Sequence, residues 1–499
     1  MDFSGIILGA QAAFSAYNLL YCLIGVFLGT AIGVLPGLGP VATISMLLPI
    51  TFGLPPETAL IMLAGIFYGA QYGGSTTAIL VNLPGESSSV VTALDGYQMA
   101  RQGKAGQALA TAAIGSFIAG TIATLLVGFV APILSIFALK FGPAEYFSLM
   151  VLGLIAAIVL AHGSVLHAIG MMFLGLLLGL VGTDVSSGVQ RFNGGIPELI
   201  DGISFVIVAM GVFGIGEIIA NLSSREEDRT ELARITRLMP TRSELIKMLP
   251  PVLRGTALGS VLGILPGGGA TLASFASYAM EKKVSSKPEE FGHGALAGLA
   301  GPESANNAAA QTSFIPMLTL GIPSNPVMAL MIGAMIMQGI QPGPSVISEQ
   351  PMLFWAIVIS MWIGNLMLLV LNLPLVGIWV KMISIRYTLL FPAILVFCAI
   401  GVFSINKSLF DIYLMAAFGV AGYIFRRLDC EPAPLLLGFI LGPMMEEYLR
   451  RAMLLSKGDA TVFLTHPISA TMLLIAFILL LTVAAPAVRK KRQEAFAED

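Results

Sequence analysis

The stretch GTAIGVLPGLGP at residues 29–40 recurs as GSVLGILPGGGA at residues 259–270, at an offset of 230 (259 minus 29). The two stretches share Gly, Gly, Leu, Pro, Gly and Gly at the same spacing, an agreement that chance seldom produces. Further along, ALIMLAG at 59–65 matches ALAGLAG at 295–301, at an offset of 236 (295 minus 59). The sequence therefore predicts two homologous halves.

The composition places both halves in a membrane. Hydrophobic residues make up 56% of the 499-residue chain and charged residues only 11%, against about 25% charged in an average soluble domain. The mean hydropathy is +0.89. Apolar stretches recur from end to end, some too long for one crossing and others too short. We expect an all-α polytopic protein with broken helices or re-entrant hairpins and roughly ten to fourteen membrane segments.

The repeated Leu-Pro-Gly motif gives a physical reason for a binding site. Glycines lower helix propensity and proline removes a backbone donor, so each helix should break within the membrane. The N-termini of broken helices present N–H groups and positive dipole ends, which suit an anion such as a carboxylate. The alternative is a kink or close helix packing without a ligand. The candidate substrate-binding residues are Gly37, Leu38, Gly39, Ser87, Ser88, Gly267, Gly268, Gly269, Ser324 and Asn325.

An unusually polar membrane segment follows each break. Hydroxyl and amide groups can bond carboxylate oxygens without a permanent charge, and their oxygens can coordinate Na⁺. The same side chains can also serve only as hydrogen-bonding contacts between helices. The candidates for cation coupling are Asn82, Glu303, Asn306, Asn307 and Thr312. We expect a transported Na⁺ rather than a tight metal site, and no cofactor.

Three further carboxylates have two interpretations each. Glu86, Asp95 and Glu217 fall at apparent membrane depth, where a carboxylate is costly without a partner or a role. Each is a candidate for proton or cation coupling. The alternative is placement in a loop or beside a basic partner, and the sequence leaves the choice open.

The distribution of basic residues predicts an inverted repeat. In the first half the loop at 51–57 carries no basic residue, whereas the loop at 101–104 carries two. In the second half the loop at 281–287 carries three lysines and the loop at 337–340 carries no charge. Equivalent loops thus have opposite signatures under the positive-inside rule, as an inverted-topology repeat requires. Chance placement of so few charges is the alternative.

The repeat and the polar stretch between its two copies define the predicted domains. Residues 1–224 form the first half and residues 255–499 the second half with extra C-terminal helices. Residues 225–254 are the predicted cytoplasmic linker, with seven basic and five acidic residues. The basic cluster at 489–492 directly follows an apolar span, which places the C-terminus in the cytoplasm. The N-terminus lacks the basic region of a signal peptide, so we expect it to be retained.

Other function classes receive little support. A net charge of -2 argues against a nucleic-acid partner. The four histidines form no zinc-protease motif, and the sequence contains no nucleotide-binding loop or nucleophile elbow. An enzyme is therefore not expected. A channel could use the same broken helices, and it remains the alternative to a transporter.

Several motifs together resemble one known family. YGAQYGGSTTAILVNLPGESSS at 68–89 and GPESANNAAAQTSF at 301–314, with the two Leu-Pro-Gly stretches, are similar to the large membrane subunit of tripartite tricarboxylate transporters. This resemblance, which covers nearly the whole chain, implies a permease in the bacterial inner membrane, driven by Na⁺ or protons. It also implies a small membrane subunit (TctB-type) and a periplasmic solute-binding protein (TctC-type) as partners. The implied substrates are tricarboxylates and dicarboxylates.

Overall fold

A computed structural model describes residues 3–35, 38–161, 164–184, 187–223, 238–265, 269–383 and 387–484. These residues are almost entirely helical. The helices are α1 (Phe3–Ala13), α2 (Ala16–Gly33), α3 (Pro40–Leu47), α4 (Pro56–Val81), α5 (Val90–Met99), α6 (Ala105–Ala138), α7 (Pro143–Leu160), α8 (Val165–Gly179), α9 (Phe205–Ala209), α10 (Gly216–Ser223), α11 (Arg242–Ile264), α12 (Gly269–Val284), α13 (Leu296–Thr312), α14 (Phe314–Leu320), α15 (Pro326–Met337), α16 (Ser345–Ser348), α17 (Pro351–Asn372), α18 (Val376–Ile383), α19 (Tyr387–Asn406), α20 (Leu409–Arg427), α21 (Ala433–Leu455), α22 (Val462–Thr465) and α23 (Pro467–Ala484). Two short antiparallel strands, β1 (Gly182–Thr183) and β2 (Gln190–Arg191), form a hairpin after α8.

The predicted all-α polytopic class is confirmed. Among the described residues, six helices are long and apolar enough to cross a membrane, and seven shorter apolar helices accompany them. α4 and α13 are not among the six. They carry polar side chains that are almost all buried in the protein, and the polar residues therefore do not face lipid.

The first Leu-Pro-Gly motif interrupts a helix, as predicted. α2 ends at Gly33 and α3 begins at Pro40, with Gly39 in an extended conformation between them. α2 runs parallel to α4, because a Cβ placed on Gly25 would lie 2.3 Å from the Met62 oxygen and one on Gly33 would lie 2.4 Å from the Ala70 oxygen. The tip of α2 thus reaches only the middle of α4.

From this tip α3 must return to the start of α4. A short 3₁₀ turn at Leu48–Thr51 follows α3, and α4 begins at Pro56. At the same end of α4, the Thr58 hydroxyl donates to Asn18 near the start of α2 (2.5 Å). Helices α2 and α3 therefore form a re-entrant hairpin whose two ends lie at the same end of α4.

The second half builds the same hairpin from α11 and α12. A Cβ on Gly255 would lie 2.2 Å from the Gly301 oxygen and one on Gly263 would lie 2.4 Å from the Ala309 oxygen, so α11 runs parallel to α13. At the base of the hairpin, the Arg254 guanidinium donates to both Glu281 oxygens at 2.8 and 2.6 Å. The tip includes residues 266–268, which lie outside the described residues.

The structure corrects the register of the second repeat segment. Gly25 contacts Met62 and its counterpart Gly255 contacts Gly301, which gives an offset of 239 (301 minus 62). α4 and α14 also end in left-handed residues 239 apart, Asn82 and Gly321. The predicted offset of 236 is therefore wrong by three residues for this segment. Ala, Leu and Gly recur so often in this segment that they allowed a false match. With the offset of 239, which we call the structural register, Glu86 corresponds to Asn325.

The two halves are inverted with respect to each other. α4 runs antiparallel to α13 and α14, because successively earlier residues of α4 contact successively later residues of α13 and α14. The pairs in contact are Ser75 with Glu303, Gln71 with Asn306, and Tyr68 with Phe314. Equivalent helices thus cross in opposite directions, as an inverted repeat requires.

The loops at the two ends agree with this arrangement. The Gln338 amide donates to the Thr51 carbonyl (3.0 Å), so the loops predicted to be periplasmic share one end. The Gln102 amide donates to the His293 carbonyl (2.7 Å), so the basic loops share the other end.

The described part of the predicted linker is mostly helical. α11 begins at Arg242, with Thr241 as its N-cap, inside the predicted range 225–254. Residues 224–237 and the C-terminal basic cluster lie outside the described residues.

Cysteine labelling tests which end faces the periplasm. After replacement of the native Cys22, Cys398 and Cys430, Gly53→Cys should react with a membrane-impermeant maleimide in intact spheroplasts. Glu289→Cys, an equally exposed position, should react only after permeabilisation. Labelling of both positions from the same side would contradict the inverted arrangement.

Leucine substitution tests the glycine contacts that hold the hairpins. Gly29→Leu would push a side chain into the Ile66 carbonyl, 2.3 Å from the Cβ position, and should lower stability by about 1–3 kcal/mol or more. Gly377→Leu is the control, because nothing lies within 4 Å of its Cβ position. Thermal loss of the monodisperse peak in size-exclusion chromatography measures both variants. Equal melting temperatures would contradict the close packing.

Candidate transport site between the repeats

Described residues beside the tips of the two re-entrant hairpins are connected through side chains of the neighbouring segments. The Ser87 and Thr271 hydroxyls are 2.8 Å apart and link the first half to the first turn of α12. The Cβ position of Gly39 lies 3.2 Å from the Gly85 oxygen. That of Gly269 lies 3.4 Å from the Asn325 Cβ. The N-termini of α3 and α12 are thus joined by one polar region.

Glu86 forms the first carboxylate cluster of this region. Its Oε1 accepts hydrogen bonds from the Ser88 hydroxyl (2.5 Å) and from the Asn306 amide (3.3 Å). The Asn306 oxygen in turn accepts from the Gln71 amide at 3.0 Å. Because Asn306 belongs to α13 and the other residues to the first half, the cluster spans the repeat interface.

Glu303 forms the second carboxylate cluster. Its Oε1 accepts from the hydroxyls of Ser75 (2.8 Å) and Thr92, and its Oε2 accepts from that of Ser116 (3.4 Å). The Asn307 amide donates to the Ser116 hydroxyl at 2.7 Å. Helices α4, α5, α6 and α13 therefore converge on one carboxylate that is only 1% exposed.

Both clusters hold a carboxylate without a basic partner. Among the described residues, the ion pairs of this protein involve other acidic residues. Hydroxyl and amide donors stabilise a carboxylate but do not neutralise it. An unneutralised charge at this depth is costly, which marks both glutamates as functional candidates.

Other predicted residues lie outside these clusters. Asn82 is exposed and ends α4 in a left-handed conformation, and Leu38 is fully buried. The hydroxyls of Thr312 and Ser324 donate to carbonyls of their own half, those of Ala308 and Ser313. The Asn325 oxygen caps the N-terminus of α15. Gly37, Gly267 and Gly268 lie outside the described residues.

Two carboxylates left open by the sequence have structural contacts. Asp95 Oδ1 accepts from three backbone N–H groups at the start of α13, those of Gly292, Gly294 and Ala295, at 2.8–2.9 Å. Glu217 pairs with both Nη atoms of Arg426. The ion pair explains the burial of Glu217 without a transported ion. The three N–H groups hold Asp95 Oδ1, whereas its buried Oδ2 has no hydrogen-bond partner among the described residues.

Sequence reasoning missed several members of the clusters. Thr92 and Ser116 lie among apolar residues on helices, and no repeat or charge signal marks them, whereas Gln71 directly precedes the polar segment that begins at Tyr72. Within the part of the chain that the structure describes, no group of three or more His, Cys, Asp or Glu side chains could hold a metal ion.

Residues 19–437 match the Tripartite tricarboxylate transporter TctA family. The chain belongs to this family. It is therefore a multi-pass membrane component of a tripartite transport system, and its family is one of transport proteins rather than enzymes.

Two relatives come from Agrobacterium vitis. The "Uncharacterized 52.8 kDa protein in TAR-I ttuC' 3'region" is 60% identical over 496 residues, which cover 99% of both chains. The "Uncharacterized protein in TAR-II ttuC' 3'region" is 62% identical over 241 residues, which cover 48% of this chain and all of the relative. No solved structure matches.

Removal of the Asp95 carboxylate tests its structural role. Asp95→Ala would leave three N–H groups at the start of α13 without their acceptor, which should destabilise the protein by about 1–3 kcal/mol. Asp95→Asn should cost less, because its amide oxygen can still accept. The exposed Asp201→Ala is the control. Unchanged thermal stability of Asp95→Ala would overturn this role.

Proposed function

We propose that this chain is the substrate-translocating subunit of a cation-coupled secondary transporter for small organic carboxylates of the tricarboxylate or dicarboxylate type. The observation that carries the proposal is the meeting of two re-entrant hairpins, from opposite ends, at one polar region. Inverted hairpins around a central site are a recurrent architecture of secondary transporters.

The chemistry of the meeting point suits an anionic substrate. α3 and α12 begin there, and their N-terminal N–H groups and positive dipole ends favour a carboxylate. Ser87, Thr271 and Asn306 add neutral hydrogen-bond donors from both halves. Gly39 and Gly269 let Gly85 and Asn325 approach these N-termini closely, which keeps the polar groups of both halves within one small region.

The two unneutralised glutamates support cation coupling. Glu86 lies within the substrate region, where its charge would repel an approaching carboxylate. A proton or Na⁺ that neutralises one of these charges removes the repulsion. Substrate and cation would then bind together, which is the thermodynamic basis of symport.

The family name supports a tripartite assembly. We infer a small membrane subunit (TctB-type) and a periplasmic solute-binding protein (TctC-type) that delivers the substrate. The family supports insertion in the bacterial inner membrane, and the positive-inside rule supports a cytoplasmic C-terminus.

Counterflow in proteoliposomes tests the proposal. Vesicles with the complete tripartite system should accumulate radiolabelled citrate or a dicarboxylate when a Na⁺ or proton gradient is imposed. Unlabelled internal substrate should accelerate entry of the label, which a channel would not show. Uptake that is insensitive to both gradients would refute cation coupling, and absence of counterflow would refute a carrier.

The adjacent Asn306 and Asn307 should affect different steps. Asn306→Ala removes a partner of Glu86 and should raise the KM for substrate about tenfold, with little change in the cation concentration that gives half-maximal uptake. Asn307→Ala removes a partner of Ser116 beside Glu303 and should shift the cation dependence instead. The exposed Ser404→Ala is the control. Identical effects of both asparagine variants would contradict two separate clusters.

A further inference from the structure

A small cavity of about 10 Å³ lies against Glu303. Its polar lining comes from α4, α6, α13 and α17, which all approach the same point. The side chains that carry the polar atoms are those of Tyr72, Ser75, Thr76, Ser116, Glu303 and Asn372. A volume of this size accommodates about one water-sized particle.

Asn372 is the unexpected member of this lining. It is the last residue of α17 and only 3% exposed, and its amide donates to the Leu368 carbonyl at 3.0 Å. Its Oδ1 is buried and accepts no hydrogen bond from any residue that the structure describes. A buried carbonyl oxygen without a donor costs free energy unless something in the cavity contacts it.

We propose that this cavity is the binding site of the coupling Na⁺, with Glu303, Asn372 and the hydroxyls of Ser75 and Ser116 as its ligands. Carboxylate, amide and hydroxyl oxygens are the atoms that hard cations prefer. One carboxylate balances one positive charge, which favours a monovalent cation over a divalent one. The inference rests on the proposed function, since only a coupled carrier has use for such an ion.

The hydrogen bonds favour Na⁺ over a proton. Glu303 accepts from three hydroxyls, an arrangement that satisfies an ionised carboxylate, whereas a protonated carboxyl group would itself need an acceptor. Each hydroxyl oxygen keeps lone pairs for a cation.

The position of the site relates ion binding to the repeat interface. Glu303 belongs to the second half, Ser75 and Ser116 to the first, and Asn372 to α17. The Tyr72 hydroxyl also bonds the Asn365 oxygen on α17 at 3.0 Å. A bound Na⁺ would thus hold α4, α6, α13 and α17 together, and Glu303 lies one helical turn from Asn306, which contacts the Glu86 cluster.

Direct binding of Na⁺ to the purified full-length chain tests the proposal without any substrate. Radioactive ²²Na⁺ should bind saturably to the wild type in nanodiscs at constant ionic strength with choline. Asn372→Leu keeps the side-chain volume but removes the oxygen, and should weaken Na⁺ binding about tenfold. Glu303→Gln should abolish saturable binding. Ser360→Ala on the same helix, whose hydroxyl bonds only the Ile357 carbonyl, should bind as the wild type does.

The outcomes separate this proposal from the proposed function. If Glu303→Gln does not fold, Asn372→Leu and Ser116→Ala decide the matter, and the normal thermal stability of each in choline shows that it is folded. Wild-type affinity in Asn372→Leu, or no saturable Na⁺ binding by the wild type, would overturn the site. Na⁺-driven uptake that persists with unchanged Na⁺ dependence in Asn372→Leu would overturn the site while leaving the carrier function intact. Na⁺ binding lost in the variants, with no carboxylate transport by the wild type, would support the site and refute the substrate class.

Discussion

Backbone that leaves a helix inside a membrane must find polar partners within the protein, since lipid offers none. Both Leu-Pro-Gly motifs create this demand at the tips of the hairpins α2–α3 and α11–α12. The polar helices α4 and α13 provide some of these partners. The Thr77 hydroxyl of α4, for example, donates to the Val34 carbonyl beside the first break (3.0 Å). The polar side chains of α4 and α13 are therefore buried inside the protein.

Close helix packing then fixes where each tip ends. Gly25, Gly29 and Gly33 each bring α2 so near α4 that a Cβ would overlap a carbonyl oxygen, and Gly255, Gly259 and Gly263 do the same for α11 and α13. In a membrane, where apolar surfaces gain little by leaving lipid, such small-residue contacts are the main source of helix association. The hairpins are positioned by backbone contact rather than by large side chains.

The sequence predicted the architecture better than the individual contacts. Composition predicted the all-α membrane class, and the Gly and Pro residues of the repeats predicted the helix breaks, because both signals are local. The second repeat register was wrong by three residues, since Ala, Leu and Gly recur too often to align uniquely. Thr92, Ser116 and Asn372 could not be found, because a single polar residue on an apolar stretch carries no information about which distant helix it will face. Gln71 borders the polar segment of α4, but nothing in the sequence indicates its contact with Asn306.

The inverted repeat also explains why two similar halves hold different chemistry. In the structural register Glu86 corresponds to Asn325, and Glu303 corresponds to Ala64, so each half contributes one carboxylate where the other has a neutral residue. The scaffold is symmetric, and the charges are not. Symmetry of the hairpins would allow the central region to open toward either side at similar cost. Under the proposed function, the asymmetric placement of the two carboxylates would give substrate and cation separate positions, so that one change of conformation would carry both across the membrane.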